Sequence, residues 1–424
     1  MSHQAEIDLL KRAFSAALDA VSPERLVPEA LEGIENHSPA VVLGAGKGAA
    51  AMAAAFHAHW RAPVRGFAVT RYAHGLRDGE SSGAIEIVEA GHPSPDEASA
   101  AAGRKLLDLS SGHRPDERLF FLVSGGGSAL ASVPAEGIDL ADKRDTVDFL
   151  MNAGANISEI NCVRKHLSAL KGGRLALAAH PAPVTTFAIS DVPGDDIGDI
   201  ASGPTIPDRT TQADAIEILA GYGFPASSAV MSVLHDPKNE SPKPGDSSFN
   251  NDHFTLIGSS TRAFTAAASV LRRAGYEVLE LGDDLDQEAK SLGREHAALA
   301  RELISAGRRV AILSGGETRV VIRKTGGRGG RNLVYLSSLA LALGGQPGIF
   351  ALAADTDGID GHGDHAGGLV LPSMLAAGAE HGVSLDAVLA ADDSYTFFDA
   401  CDLLLKTGPT RTNVNDFRLI LCHP

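Results

Sequence analysis

Apolar residues along this chain fall into two alternating patterns. Unbroken runs of aliphatic and aromatic side chains over 119–123, 310–313 and 350–354 suit strands covered on both faces, as in a parallel sheet, and the run over 184–189, broken only by Thr185 and Thr186, reads as a strand too. Shorter runs over 40–43, 254–257, 277–281, 320–323 and 403–405 predict further strands. Between the runs, apolar residues recur at helical spacing: Ile7, Leu10, Phe14 and Leu18 predict a helix over 5–20, and similar stripes predict helices over 49–60, 97–109, 140–150, 159–170, 261–274 and 288–305. The alternation repeats along the chain and predicts an α/β fold. From Asp236 to Asp252, DPKNESPKPGDSSFNND, apolar content collapses, which predicts a boundary between a first domain over 1–240 and a second over 250–424.

The strand runs end in unusual residues. LFFLV, closing at Val123, breaks into Ser124, Gly125, Gly126, Gly127 and Ser128, where the glycines allow positive φ and close approach of a ligand, and Ser128 reads as a helix N-cap. Amides at such a turn form a cradle for phosphate or carboxylate. The device recurs at Ser314, Gly315, Gly316 and Glu317, and again at Gly46-Lys47-Gly48. The last is not a dinucleotide fingerprint, because Ala49 stands at the third glycine and no acidic strand end follows at the required distance, and it lacks the Walker A spacing. A lysine inside a glycine turn therefore points to an anion.

Cationic and acidic groups collect at similar places. Arg164 and Lys171 lie in a basic stretch, and because Arg164 and Lys165 are neighbours on a helix, at most one faces a site. Lys324, Arg328, Arg331 and Asn332 are interleaved with four glycines and predict a mobile phosphate-binding loop. Asp191 follows the 184–189 run directly, and Asp355 and Asp357 follow the 350–354 run, where carboxylates suit magnesium or a hydroxyl proton. His92, between Gly91 and Pro93, reads chiefly as part of a rigid turn.

Composition narrows the ligand. With 37 basic and 53 acidic residues in 424, a net charge of −16, the surface does not suit nucleic acid or an anionic membrane, so any bound anion must be met by local groups. Cys162, Cys401 and Cys422 form no CxxC pair, which fits a reducing cytoplasm, and neither a signal peptide nor a run long enough to span a bilayer is expected.

Taken together, GAGKGA, GHPSPD, LVSGGGSAL, NCVRKHLSALKGGRLA, ISDVPGDD, SGPT, LSGGET, GRGGRN, DTDGIDG and KTGPTRTNVND resemble the class II glycerate kinases, the MOFRL family of glycerate 2-kinases. The resemblance implies a Rossmann-like N-terminal domain with a parallel sheet, a smaller C-terminal α/β domain and an active site in the cleft between them. It implies ATP and Mg2+ acting on glycerate, with small-molecule partners only and a homodimer left open. It lays functional weight on Lys47, Asp191 and Arg331, and extends the binding set to Asn413 and Asn415. Family members usually read GPTGTNVND, where this chain has Arg411 in place of the glycine. A hydroxypyruvate reductase using a nicotinamide cofactor is the alternative.

Overall fold

The computed structural model describes residues 3–225, 228–323 and 326–424. Packing divides them into two units, Pro23–Gly258 and Ser259–Pro424, the latter joined by the segment up to Ser22.

The first unit is built on six parallel strands: β1 (Ala40–Ala45), β2 (Val64–Arg71), β3 (Ala84–Ala90), β4 (Arg118–Val123), β5 (Val184–Ile189) and β6 (His253–Gly258). Their order is β3-β2-β1-β4-β5-β6. The chain therefore winds outward from β1 to one side and from β4 to the other, and the strand order reverses between these two. They pair in register from Ala40 against Arg118 to Ala45 against Val123, so their C-terminal loops emerge side by side. Both faces are covered, which explains the unbroken apolar runs. Val41, Leu43, Phe121 and Val123 pack toward Leu106 and Leu130, while Phe120 on the other face stacks among Phe56, Trp60 and Phe187.

The second unit holds a mixed sheet of β7 (Glu277–Glu280), β8 (Val310–Gly316), β9 (Ile349–Asp355), β10 (Gly367–Val370), β11 (Leu404–Leu405) and β12 (Asp416–Cys422), in the order β11-β10-β9-β12-β8-β7. The last strand enters between β8 and β9, antiparallel to both. Among the described residues no helix is long and apolar enough to cross a membrane.

Three expectations are corrected. The polar run 236–252 is not the passage between units. Glu240 takes hydrogen bonds from the Gln212 amide at 3.0 Å and Lys243 Nζ at 2.6 Å and lies 3.1 Å from His166 Nε2, so this polarity is used inside the first unit, and β6 beyond it completes the first sheet. The helix Gln4–Ala20, expected in the first domain, packs in the second unit, where Phe14 meets Phe417 and Val21 O accepts from Thr412 Oγ1. Residues 320–323 form no strand. Val321 and Ile322 are exposed there and pair with no strand among the described residues.

Candidate active site

At the reversal point of the first sheet, the two glycine loops lock together. Lys47 N donates to Gly125 O at 2.9 Å, and Gly48 N donates to Ser124 Oγ at 2.9 Å. Gly46 is extended to φ +141, and any side chain there would collide with Ser124. Ser124, fully buried, is thus a brace between the loops, and the helix beginning at Ala49 starts directly beyond it. The N-cap of the short helix Gly127–Leu130 is Gly126 at φ +81, not Ser128 as expected. A Cβ on Gly126 would lie 2.9 Å from the His92 ring and 3.3 Å from Lys47 Cγ, so only glycine lets these two side chains converge over the turn.

Ser128 has another role. Its Oγ lies 2.9 Å from Ser202 Oγ, at the rim of a cavity of about 360 Å³. One wall of this cavity is His92 with Pro93 and Pro95, and another is the helix Leu140–Asn152 with Lys143 and Val147. Arg164 also lines it, held by a 2.9 Å bond from Nη1 to Asn161 Oδ1. Lys165 turns the other way, 3.4 Å from Asp208, so of the two neighbours one faces the site. Lys171, expected to bind anions, instead donates from a buried Nζ to Ser128 O at 2.8 Å and Ala131 O at 3.1 Å. It is an internal strut, and burial, with Lys143 and Arg164 nearby, pushes its pKa well down. Asp191 stands half-buried just past β5, the strand next to β4, so the loops after β1, β4 and β5 emerge about 5 Å apart in turn.

Lys143 was missed in the sequence, where a lysine on an amphipathic helix reads as a solvated face. It is 4% exposed, and its Nζ has no hydrogen-bond partner among the described residues. Burial, aided by Arg164 and Arg174, lowers its pKa to about 7.

The second unit's candidates gather around one arginine. Arg331 reaches Asp416 through Nε at 2.9 Å, Glu317 through Nη1 at 2.9 Å and Asp355 through Nη2 at 2.7 Å. Asp416 also takes 2.6 Å from Arg418 and 2.7 Å from Asn332 Nδ2. Asp360, pushed up to about 7 by burial and by Asp416, caps the helix Arg331–Leu343 through the amides of Asn332 and Leu333 at 3.1 Å. Asp416 and Asp360 carried no role in the sequence reading, because their partners lie far away along the chain. Ser314, Gly315 and Gly316 are inside β8 and do not form a strand-end loop: Gly315 N bonds Gly282 O, and Gly315 O accepts from Arg418 at 2.6 Å. The loop expected to be mobile is tied down at Arg328, whose guanidinium sits 3.6 Å above the Tyr395 ring and whose amide donates to Asp393. Lys324 lies outside the described residues.

Asp355 and Asp357 do not fit a magnesium shell as they stand. Asp355 is bound by Arg331 and the Asp357 amide, and Asp357 accepts from the Ile359 amide at 2.8 Å. Among the described residues no three His, Cys or acidic side chains are grouped to hold an ion.

The chain's similarities bear on this geometry. A family model described as a domain of unknown function, DUF4147, matches residues 9–235, and that of the MOFRL family matches 310–416. D-glycerate 2-kinase from Thermotoga maritima is 38% identical over 97% of this chain and 96% of its own length. The chain belongs to the MOFRL glycerate kinase family. A crystal structure of the Thermotoga glycerate kinase superposes with a TM-score of 0.87, covering 99% of this chain and all of that one at 36% identity. An Agrobacterium vitis protein provisionally named a hydroxypyruvate reductase is 47% identical over 97% of this chain and 94% of its own. Against the family's usual glycine, Arg411 is buried and sits at φ +63, so the position asks for a left-handed backbone and not only for close approach. Asn415 shares that conformation at φ +63, and Asn413 Oδ1 accepts from its amide at 3.3 Å, so both asparagines build this turn.

Proposed function

We propose that the protein is a glycerate 2-kinase, transferring the γ-phosphoryl group of ATP to the 2-hydroxyl of D-glycerate to give 2-phosphoglycerate and ADP. The observation that carries this reading is the full-length similarity to the Thermotoga D-glycerate 2-kinase. The first unit supplies groups suited to such a step, which depends on positioning and charge neutralisation. Lys47, fixed by its own amide to Gly125, neutralises a phosphoryl oxygen, and Asp191 takes the proton of the attacking hydroxyl. A divalent cation carried by the nucleotide would supply further neutralisation. Arg331 we assign an indirect role, because all three of its nitrogens are engaged by carboxylates. The three unpaired cysteines fit a cytoplasmic setting.

The name of the Agrobacterium relative favours a second reading, a nicotinamide-dependent reductase. The β1 loop supports it poorly. A fingerprint needs its first glycine at the turn, whereas Gly44 lies within β1, paired with Leu122 and Ala68. ADP release with D-glycerate and NADH oxidation with hydroxypyruvate, measured on one preparation, separate the two. We expect the first signal and not the second. NADH oxidation without ADP release would overturn the kinase reading.

A further inference from the structure

The kinase reading leaves open how the acceptor is recognised. The cavity between the His92 turn and the helix Leu140–Asn152 is small for a ligand pocket, enough for a small acid but not for a whole nucleotide. Its apolar surface comes from Pro93, Pro95 and Val147, which have no counter-charge to offer. A lysine buried without a hydrogen-bond partner is costly, and a fold retains one where something outside the fold completes it. Lys143 is such a group, and Arg164 lines the same cavity.

We propose that Lys143 and Arg164 bind the carboxylate of the acceptor, making Lys143 the residue that selects a hydroxy acid over a neutral polyol. The proposal rests on the kinase reading for the identity of the acid and on the cavity for its place. A carboxylate is favoured over a phosphate because the interlocked loops already offer Lys47 and a turn of amides to phosphoryl oxygens, whereas this cavity presents side-chain cations against apolar walls. Facing Lys143 are Arg164, Lys171 and Arg174 from the following segments, His92 across the cavity, and Arg144 and Asp148 at the exposed mouth. Burial first, and the neighbouring Arg164 and Arg174 second, let the free lysine give up its proton near neutrality and regain it when an anion arrives. Affinity for glycerate then falls as pH rises through 7, by about tenfold per unit until the bound form also loses the proton.

The test compares wild type with Lys143→Met, which removes the charge and leaves a side chain of similar length. ADP release should show KM for D-glycerate raised roughly 10- to 100-fold, the worth of a charged hydrogen bond, with KM for ATP unchanged. The rise of glycerate KM between pH 7 and 9 should be lost. Calorimetric titration with D-glycerate, and separately with D-lactate, should give heat with wild type and none with the variant. An unchanged glycerate KM, or a shift in ATP KM alone, overturns the carboxylate assignment while leaving the kinase reading intact. If wild type releases no ADP, the kinase reading fails, and the titrations still decide whether Lys143 holds a hydroxy acid. A variant that melts below wild type and binds neither acid would be replaced by Lys143→Gln, for which the same titrations apply.

Discussion

The two units treat positive charge in opposite ways. Around the first unit's cavity, burial and then the charges of Arg164 and Arg174 push the Lys143 pKa down to about 7, and none of the described residues bonds its Nζ. In the second unit, Arg331 meets three carboxylates, and Asp416 in turn meets a second arginine. A buried lysine that its own fold leaves unbonded is a place for an anion, whereas a saturated arginine is a cross-link. In sequence neither declares its setting: Lys143 sits in a polar helical stretch, and Arg331 follows a run of glycines. The difference lies in what the fold brings up to them.

That contrast can be broken most severely at Arg331. Replacing it by Met takes the arginine from Asp355 and leaves Asp416 to Arg418 and Asn332 alone, both carboxylates being buried, and should cost about 3–5 kcal/mol of stability. The urea midpoint would fall accordingly. If kcat collapses while the midpoint holds, Arg331 is a phosphate contact after all and the two units are more alike than their geometry implies. Next in size is Lys47→Ala, whose loss of a charged phosphate contact should lower kcat by about 10²- to 10³-fold at unchanged thermal stability. A loss of folding instead would make Lys47 part of the brace with Ser124. The smallest effect is expected at Arg411→Gly. Relief of a left-handed non-glycine residue, partly offset by the greater freedom of unfolded glycine, should raise stability by up to about 1 kcal/mol, read as a small increase in melting temperature. A decrease would show that the buried arginine side chain contributes more than its backbone costs.

Much of the fold was legible because its signal is local. Strands covered on both faces need largely apolar runs, and β4 from Leu119 onward and β5, polar only at Thr185 and Thr186, show them. The loops after β1 and β4 were legible for a similar reason, since a glycine turn declares itself in consecutive residues. What escaped depends on distant partners. Ser314-Gly-Gly looked like a strand-end loop because nothing nearby reveals that Asp416 and Phe417 extend the ladder to Gly316. Lys143 looked like a solvated lysine because its burial is decided by Arg164 and the His92 turn. The run 236–252 looked like a linker because its polar groups, Glu240 and Ser241 foremost, find their partners on helices far upstream.

The placement of the helix Gln4–Ala20 has a consequence for biosynthesis. Its residues leave the ribosome ahead of the whole first unit, yet the elements it packs on, the helix Ser260–Arg273 foremost and then β12, are made after that unit. The first unit can close as soon as β6 has emerged, while the helix Gln4–Ala20 waits with its apolar stripe unpartnered until the helix Ser260–Arg273 arrives directly after β6. Nascent chains stalled directly after β6 should therefore carry a finished first unit and a sticky upstream helix, the form of this protein that a chaperone would meet.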